Sequence, residues 1–232
     1  MAEVPKFILP GPLDVGHEIG KIISSGELWP HFFYTARNVL SGFLLGMIFG
    51  GFLGYLCQKN PIVEAAISPF LVFLQATPKI ALAPIFVLWF GFGLESQILL
   101  IFSLAFFPIM TGVMAGLASL DPQFIELGTL MKMNRWDFFR KIQGPAALPE
   151  FFTGMRIGLL DALTGAVLAE FISSDKGLGY LLVFGNSTYK TAILMSAILV
   201  IVLFGIAIYL FIQLVENRFL KWKIDKYDAS HF

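Results

Sequence analysis

The side chains able to do chemistry in this chain are few, and the informative ones interrupt apolar stretches. Asp161 and Glu170 share one such stretch; Gln75, Thr77 and Lys79 share another, which also holds Pro69, Pro78 and Pro84. An ionised side chain at the centre of a bilayer costs about 2.5–3.5 kcal/mol on insertion scales, so such residues face a bundle interior or water. The chemistry this suits is the passage of a polar solute. Asp161, with Thr164 one turn on, suits a wall of a translocation path, or else a structural hydrogen bond to a neighbouring helix. Glu170 stands near the end of its segment, where it serves an outer gate or merely reaches interfacial water. Nine residues at about 100° each put Asp161 and Glu170 on opposite faces of a straight helix, so they do not line one site together. Gln75, Thr77 and Lys79 form a second candidate wall, because broken helices at membrane depth are tolerated where they line a cavity. The alternative for Lys79 is a side chain that snorkels to an interface.

Signals for catalysis are poor. The sequence has no Gly-x-x-x-x-Gly-Lys-Ser/Thr loop, so the chain does not itself hydrolyse ATP by that route. His17, His31 and His231 are scattered near the termini, with no metal-ligand spacing and no Ser/His/Asp arrangement. Cys57 is the only cysteine and reads as a small buried hydrophobe. A membrane enzyme would need clustered catalytic groups, and the acids here are dispersed.

The elements that must position these residues are membrane helices. The chain has 232 residues, 57% hydrophobic, with a mean hydropathy of +0.78. Five segments are long and apolar enough to span as helices, at about 36–57, 62–90, 97–118, 150–172 and 191–216. The second, with its prolines, is expected to be kinked or broken. Glycines at 42, 46, 50 and 54 make a small-residue stripe for close helix contact. Trp89 and Trp222 are plausible interfacial anchors.

Formal charge sums to zero but is unevenly spread. Lys59, Lys132, Arg135, Arg140, Lys141, Arg218, Lys221, Lys223 and Lys226 fall on one side, against mainly Lys6, Lys21, Lys176 and Lys190 on the other. The positive-inside rule makes the first side cytoplasmic, with the C-terminus there and, for five spans, the N-terminus outside. The expected organisation is an external segment, 1–32, whose Asp14 to Glu27 stretch lies on the membrane surface as a helix. A membrane domain, 33–217, and a cytoplasmic tail, 218–232, follow.

Between the third and fourth spans lies a charged, helix-forming block, 119–149. Asp121-Pro122 opens it as a cap and first helical residue. A second helix is expected to start at Asn134, capped with Asp137, and to stop before Gly144-Pro145. Trp136, Phe138 and Phe139 give that helix aromatic knobs, with Arg135, Arg140 and Lys141 around them. Glu126, Ile142 and Pro145 match the spacing of the EAA coupling loop of ABC importer permeases. Leu127 and Gly128 replace its two alanines, Lys132 its glycine and Gly144 its leucine. Pro145-Ala146-Ala147-Leu148-Pro149, Gly154-Met155-Arg156-Ile157-Gly158, Ala169-Glu170-Phe171 and Gly177-Leu178-Gly179-Tyr180 follow in the order of the nitrate/sulfonate/taurine-type permeases. Upstream, Pro78 to Pro84 and Trp89-Phe90-Gly91-Phe92-Gly93 match as well, so the chain resembles that family from about residue 8 to 220. Within it, the Ala-Glu-Phe and Gly-Leu-Gly-Tyr segments look closer to permeases for pyrimidine vitamin precursors or riboflavin.

The resemblance implies an all-α, five-helix membrane fold of the type I importer permease. A sixth helix is expected in the full protein if, as in other members, one precedes Leu9-Pro10-Gly11-Pro12. It implies a homodimer in the bacterial inner membrane, a cytoplasmic ATPase dimer that carries ATP and Mg, and an external binding protein that delivers the solute. It implies no cofactor in this chain and no nucleic-acid partner. Glu126, Lys132, Arg135, Trp136, Phe139 and Arg140 would meet the ATPase, with the aromatics of the block buried against it. Gln75, Thr77, Lys79, Asp161, Thr164 and Glu170 would belong to the path. The alternative is a channel or secondary carrier that works without an ATPase.

Overall fold

The computed structural model describes residues 10–220, and within them every regular element is helical. Lys6, Leu9, Lys221, Trp222, Lys223, Lys226 and His231 lie outside the described residues. The first helix, α1 (Pro12–Ser24), starts with Pro12 at its first position and with the Asp14 carboxylate accepting from Gly11 N–H at 3.2 Å. It buries Val15 and Ile22 and packs on the last helix, as an amphipathic surface helix would. Gly26, at φ 81°, turns the chain into α2 (Leu28–Lys59).

The centre of the fold is α5 (Leu94–Ala118), packed along its length between α2 and α8 (Gly144–Ser173). The glycine stripe explains the closeness. A Cβ on Gly50 would sit 2.7 Å from the Phe106 carbonyl oxygen, and one on Gly54 2.7 Å from that of Met110. Across α5, Gly112 and Gly154 meet backbone to backbone. Val39, Ile101, Ala105, Ile109, Leu159 and Ala162 fill the common core. Cys57 is buried beside Phe106 and Met110, as expected of a small hydrophobe.

The proline-rich segment is two helices, α3 (Pro61–Ala76) and α4 (Lys79–Phe90), bent by 104° at Thr77-Pro78. Pro78 has no N–H to continue α3, and the residue before a proline is driven out of the helical region; Thr77 has ψ 127°. No residue of α3 is buried within the chain. The block between spans folds as α6 (Pro122–Leu130) and α7 (Arg135–Phe138). After α8 come α9 (Leu178–Ser187) and α10 (Thr191–Phe219).

Three helices, α2, α5 and α10, are long and apolar enough to cross a membrane singly. The bent pairs α3 with α4, and the Arg135–Ser173 helix with α9, raise the number to five when each pair is counted as one span. Counted so, the five expected spans appear in order, with α9 as an added helix after the fourth.

Candidate functional site

Two regions are built from the residues singled out above. The first is the charged block. Asp121 Oδ1 accepts from Gln123 N–H at 2.9 Å and Asn134 Oδ1 from Asp137 N–H at 2.7 Å, so both helices start where capping chemistry places them. Between them Lys132 adopts φ 51°, a left-handed conformation that glycine takes without cost. Lys132 N–H donates to the Thr129 carbonyl and Met133 N–H to that of Gly128, both at 3.0 Å. These bonds close α6 with a Schellman cap whose usual glycine is a lysine.

The second helix of the block does not stop before Gly144-Pro145. It widens into a π-turn, Phe139–Gln143, and runs on into α8. Pro145 lacks the N–H that a regular turn would use here, and the wider turn accommodates the gap. α7, the π-turn and the Asp161 helix α8 are thus one continuous rod, Arg135–Ser173.

The aromatic knobs divide. Phe138 sets the edge of its ring against Gly128, where a Cβ would come within 2.5 Å of it, and so ties α7 to α6. Phe139 packs edge-to-face on Tyr55 of α2 at 5.3 Å, and Lys59 Nζ donates to Gln143 Oε1 at 3.1 Å beside it. Phe138 and Phe139 are therefore half-buried against this chain. Trp136, stacked on Phe139 at 6.2 Å between centroids, is 68% exposed. Glu126, Lys132, Arg135 and Arg140 are exposed on the same block. Leu130 and Met131, which charge and motif reasoning passed over, are 81% and 63% exposed on the same block.

The second region is the elbow between α3 and α4. Lys79 Nζ meets Asp161 Oδ2 at 2.8 Å, with their side chains 52% and 27% exposed. Two residues read separately from the sequence thus form one ion pair, which holds the elbow on α8. Thr164, the next turn of α8, is exposed and donates to the Leu160 carbonyl at 3.0 Å. Across the bend Thr77 donates to the Phe73 carbonyl at 2.8 Å, and Gln75 is exposed.

Glu170 stands apart from this group. It is 1% exposed, so it neither reaches interfacial water nor faces an open passage. Thr35 Oγ1 donates to its carboxylate, at 2.8 Å from Oε1 and 3.0 Å from Oε2, and Gly179 N–H donates to Oε2 at 2.8 Å. Thr35 Oγ1 accepts in turn from Leu178 N–H at 2.8 Å, and His31 Nδ1 from Gly177 N–H at 3.1 Å. Gly177 and Gly179 lie directly on Glu170, leaving no room for a side chain on either. The Ala169-Glu170-Phe171 and Gly177-Leu178-Gly179-Tyr180 segments are therefore two halves of one joint, which clips the start of α9 to α2.

The family model described as the binding-protein-dependent transport system inner membrane component matches residues 42–221. The chain belongs to this family.

Curated relatives agree. A riboflavin transport system permease protein of Chloroflexus aurantiacus is 35% identical over 94% of this chain and 82% of its own length. A formylaminopyrimidine transport permease protein of Halalkalibacterium halodurans is 33% identical over 94% and 86%. A putative aliphatic sulfonates transport permease protein of Bacillus subtilis is 32% identical over 95% and 80%. Among solved structures, the MetNI methionine ABC transporter in an inward-facing conformation aligns with TM-score 0.68 at 19% identity, over 82% of this chain and 92% of that one. That likeness concerns the fold, the type I ABC importer permease. The protein is the transmembrane permease component of an ABC importer, and ATP hydrolysis belongs to a separate ATPase.

Among the residues that build such joints in the permease, sequence reasoning passed over Thr35 and Gln97, and took His31 only as one of three scattered histidines. Gln97 joins α2 and α8 near the same end: its Oε1 accepts from Asn38 at 2.9 Å and from Tyr34 at 3.1 Å, and its Nε2 donates to the Ser173 carbonyl at 3.1 Å. The signal was present, since Asn38 and Gln97 are amides within or at the edge of apolar spans, where polar groups need partners.

Proposed function

We propose that two copies of this permease enclose a path for a small solute, and that α6, α7 and the π-turn couple it to a cytoplasmic ATPase dimer holding ATP and Mg. Exposed Trp136 is the anchor, with Arg135 and Arg140 beside it and Leu130 and Met131 exposed on the same block. Buried aromatics dominate docking energies, whereas surrounding charges such as Glu126 and Lys132 set orientation. Residues 218–232 and the block then lie in the cytoplasm, residues 1–32 outside, and the membrane is the bacterial inner membrane.

The observation that carries this reading is the continuity of the rod. A push at Trp136 passes through the π-turn into α8 and reaches Asp161, whose partner Lys79 stands on the broken helix. Gln75, Thr77, Lys79, Asp161 and Thr164 form the polar wall of the path; Glu170 is a structural joint rather than a contact for solute. Exposed polar groups at the bend of an apolar helix suit a water-filled passage and do not suit lipid.

The solute arrives on an external binding protein. Relatives named for riboflavin and formylaminopyrimidine support a small heterocycle, and one named for aliphatic sulfonates keeps a small anion as the second class. The test is uptake in proteoliposomes holding the permease with its ATPase. Transport that requires ATP inside the ATPase compartment and binding protein on the other side is expected. Uptake without either component would make the protein a channel or carrier.

A further inference from the structure

Helix α2 carries no charge between Arg37 and Lys59, so residues 38–58 make about 32 Å of uncharged helix. That matches a hydrocarbon core of about 30 Å and sets Arg37 at the level of the lipid headgroups on one side. Arg37 is exposed, lies over the Tyr34 ring at 5.4 Å from its centroid, and has no carboxylate partner among the described residues. Beneath it an apolar groove of about 600 Å³ runs between α2 and α10 on a floor of α8. Leu40, Leu44 and Met47 form one wall, Phe204 and Phe211 the other, and Leu159 part of the floor; Arg37 is the single charge among its lining residues.

We propose that this groove is a binding site for an anionic phospholipid, with the headgroup phosphate on Arg37 and an acyl chain along α2. A guanidinium forks onto phosphate oxygens, and a basic group between helices at headgroup depth favours lipids of net negative charge. A further helix is the poorer occupant, because it would have to bring its own acid to Arg37. The assignment of this lipid to the outer leaflet rests on the topology proposed above; the binding itself does not.

The experiment is native mass spectrometry of the permease with its ATPase, stripped of lipid and titrated with dioleoylphosphatidylglycerol or dioleoylphosphatidylcholine. Wild type is expected to retain one phosphatidylglycerol per permease chain about tenfold more tightly than phosphatidylcholine. Arg37→Gln should abolish that preference while still taking either lipid, and Leu44→Trp, which fills the groove, should lower retention of both. Equal retention of the two lipids by wild type overturns the proposal, whatever the variants do. So does an unchanged preference in Arg37→Gln, or a polypeptide found in the groove in place of lipid. Loss of ATP-driven uptake with lipid selectivity intact would instead count against the functional reading alone.

Discussion

Lys79 and Asp161 stand 82 residues apart in the chain and 2.8 Å apart in the fold. Each is only partly covered, and ion pairs reached by solvent add about 0–1 kcal/mol to stability. Their value must then lie in where they hold the elbow. Asp161→Asn and Lys79→Met are each expected to lower uptake at least about tenfold while changing the melting temperature by no more than a few degrees. The exchanged pair Lys79→Asp with Asp161→Lys should recover part of the uptake. Singles that transport normally with unchanged affinity would remove these residues from the path.

Gly128 and Phe138 set the angle between α6 and α7, since a methyl on Gly128 would enter the ring. Gly128→Ala should cost about 1–3 kcal/mol locally and loosen coupling, raising ATP hydrolysis in the absence of solute. Phe138→Ala in the same background should relieve the clash but not restore coupling. Normal solute-stimulated hydrolysis in Gly128→Ala would show that the angle does not matter.

Lys132 occupies a left-handed position, which costs a side-chain residue roughly 1–2 kcal/mol. Lys132→Gly is expected to raise stability by about 0.5–1 kcal/mol, because the gain is offset in part by the freer unfolded glycine. Thermal unfolding in detergent checks the sign, and a lower melting temperature would mean that the lysine makes a compensating contact.

Thr35 serves Glu170 and Leu178 at once. Thr35→Val keeps the shape but leaves a buried carboxylate and an N–H short of partners, at about 1–3 kcal/mol for each group. A melting temperature within one degree of wild type would contradict the joint described here.

The order of helices, a break in the proline-rich segment, though not which proline makes it, the two caps of the block and the glycine stripe could be read from the sequence because each is set by local chemistry. What could not be read depends on neighbours far along the chain. Asp161 and Lys79 looked like two separate polar residues because nothing local pairs α4 with α8. Glu170 looked interfacial because its partners, Thr35 and Gly179, arrive from α2 and α9. Gly144-Pro145 looked like a stop signal, since a proline ends a regular helix; a π-turn lets the chain continue, and no local rule foretells it. Phe139 and Trp136 looked alike at three-residue spacing, and only the position of Tyr55 separates the half-buried ring from the exposed one.

The account turns on Trp136 as the seat of the ATPase. The most direct measurement is purification of the permease from its native membrane, wild type beside Trp136→Ala, with quantification of the Walker-type ATPase that comes with it. The account predicts a stoichiometric ATPase on the wild type and at least about a tenfold loss on the variant, with an unchanged melting temperature of the permease because Trp136 is mostly exposed. Recovery of the wild-type chain without any ATPase, or of Trp136→Ala with its full complement and normal coupled hydrolysis, would contradict it.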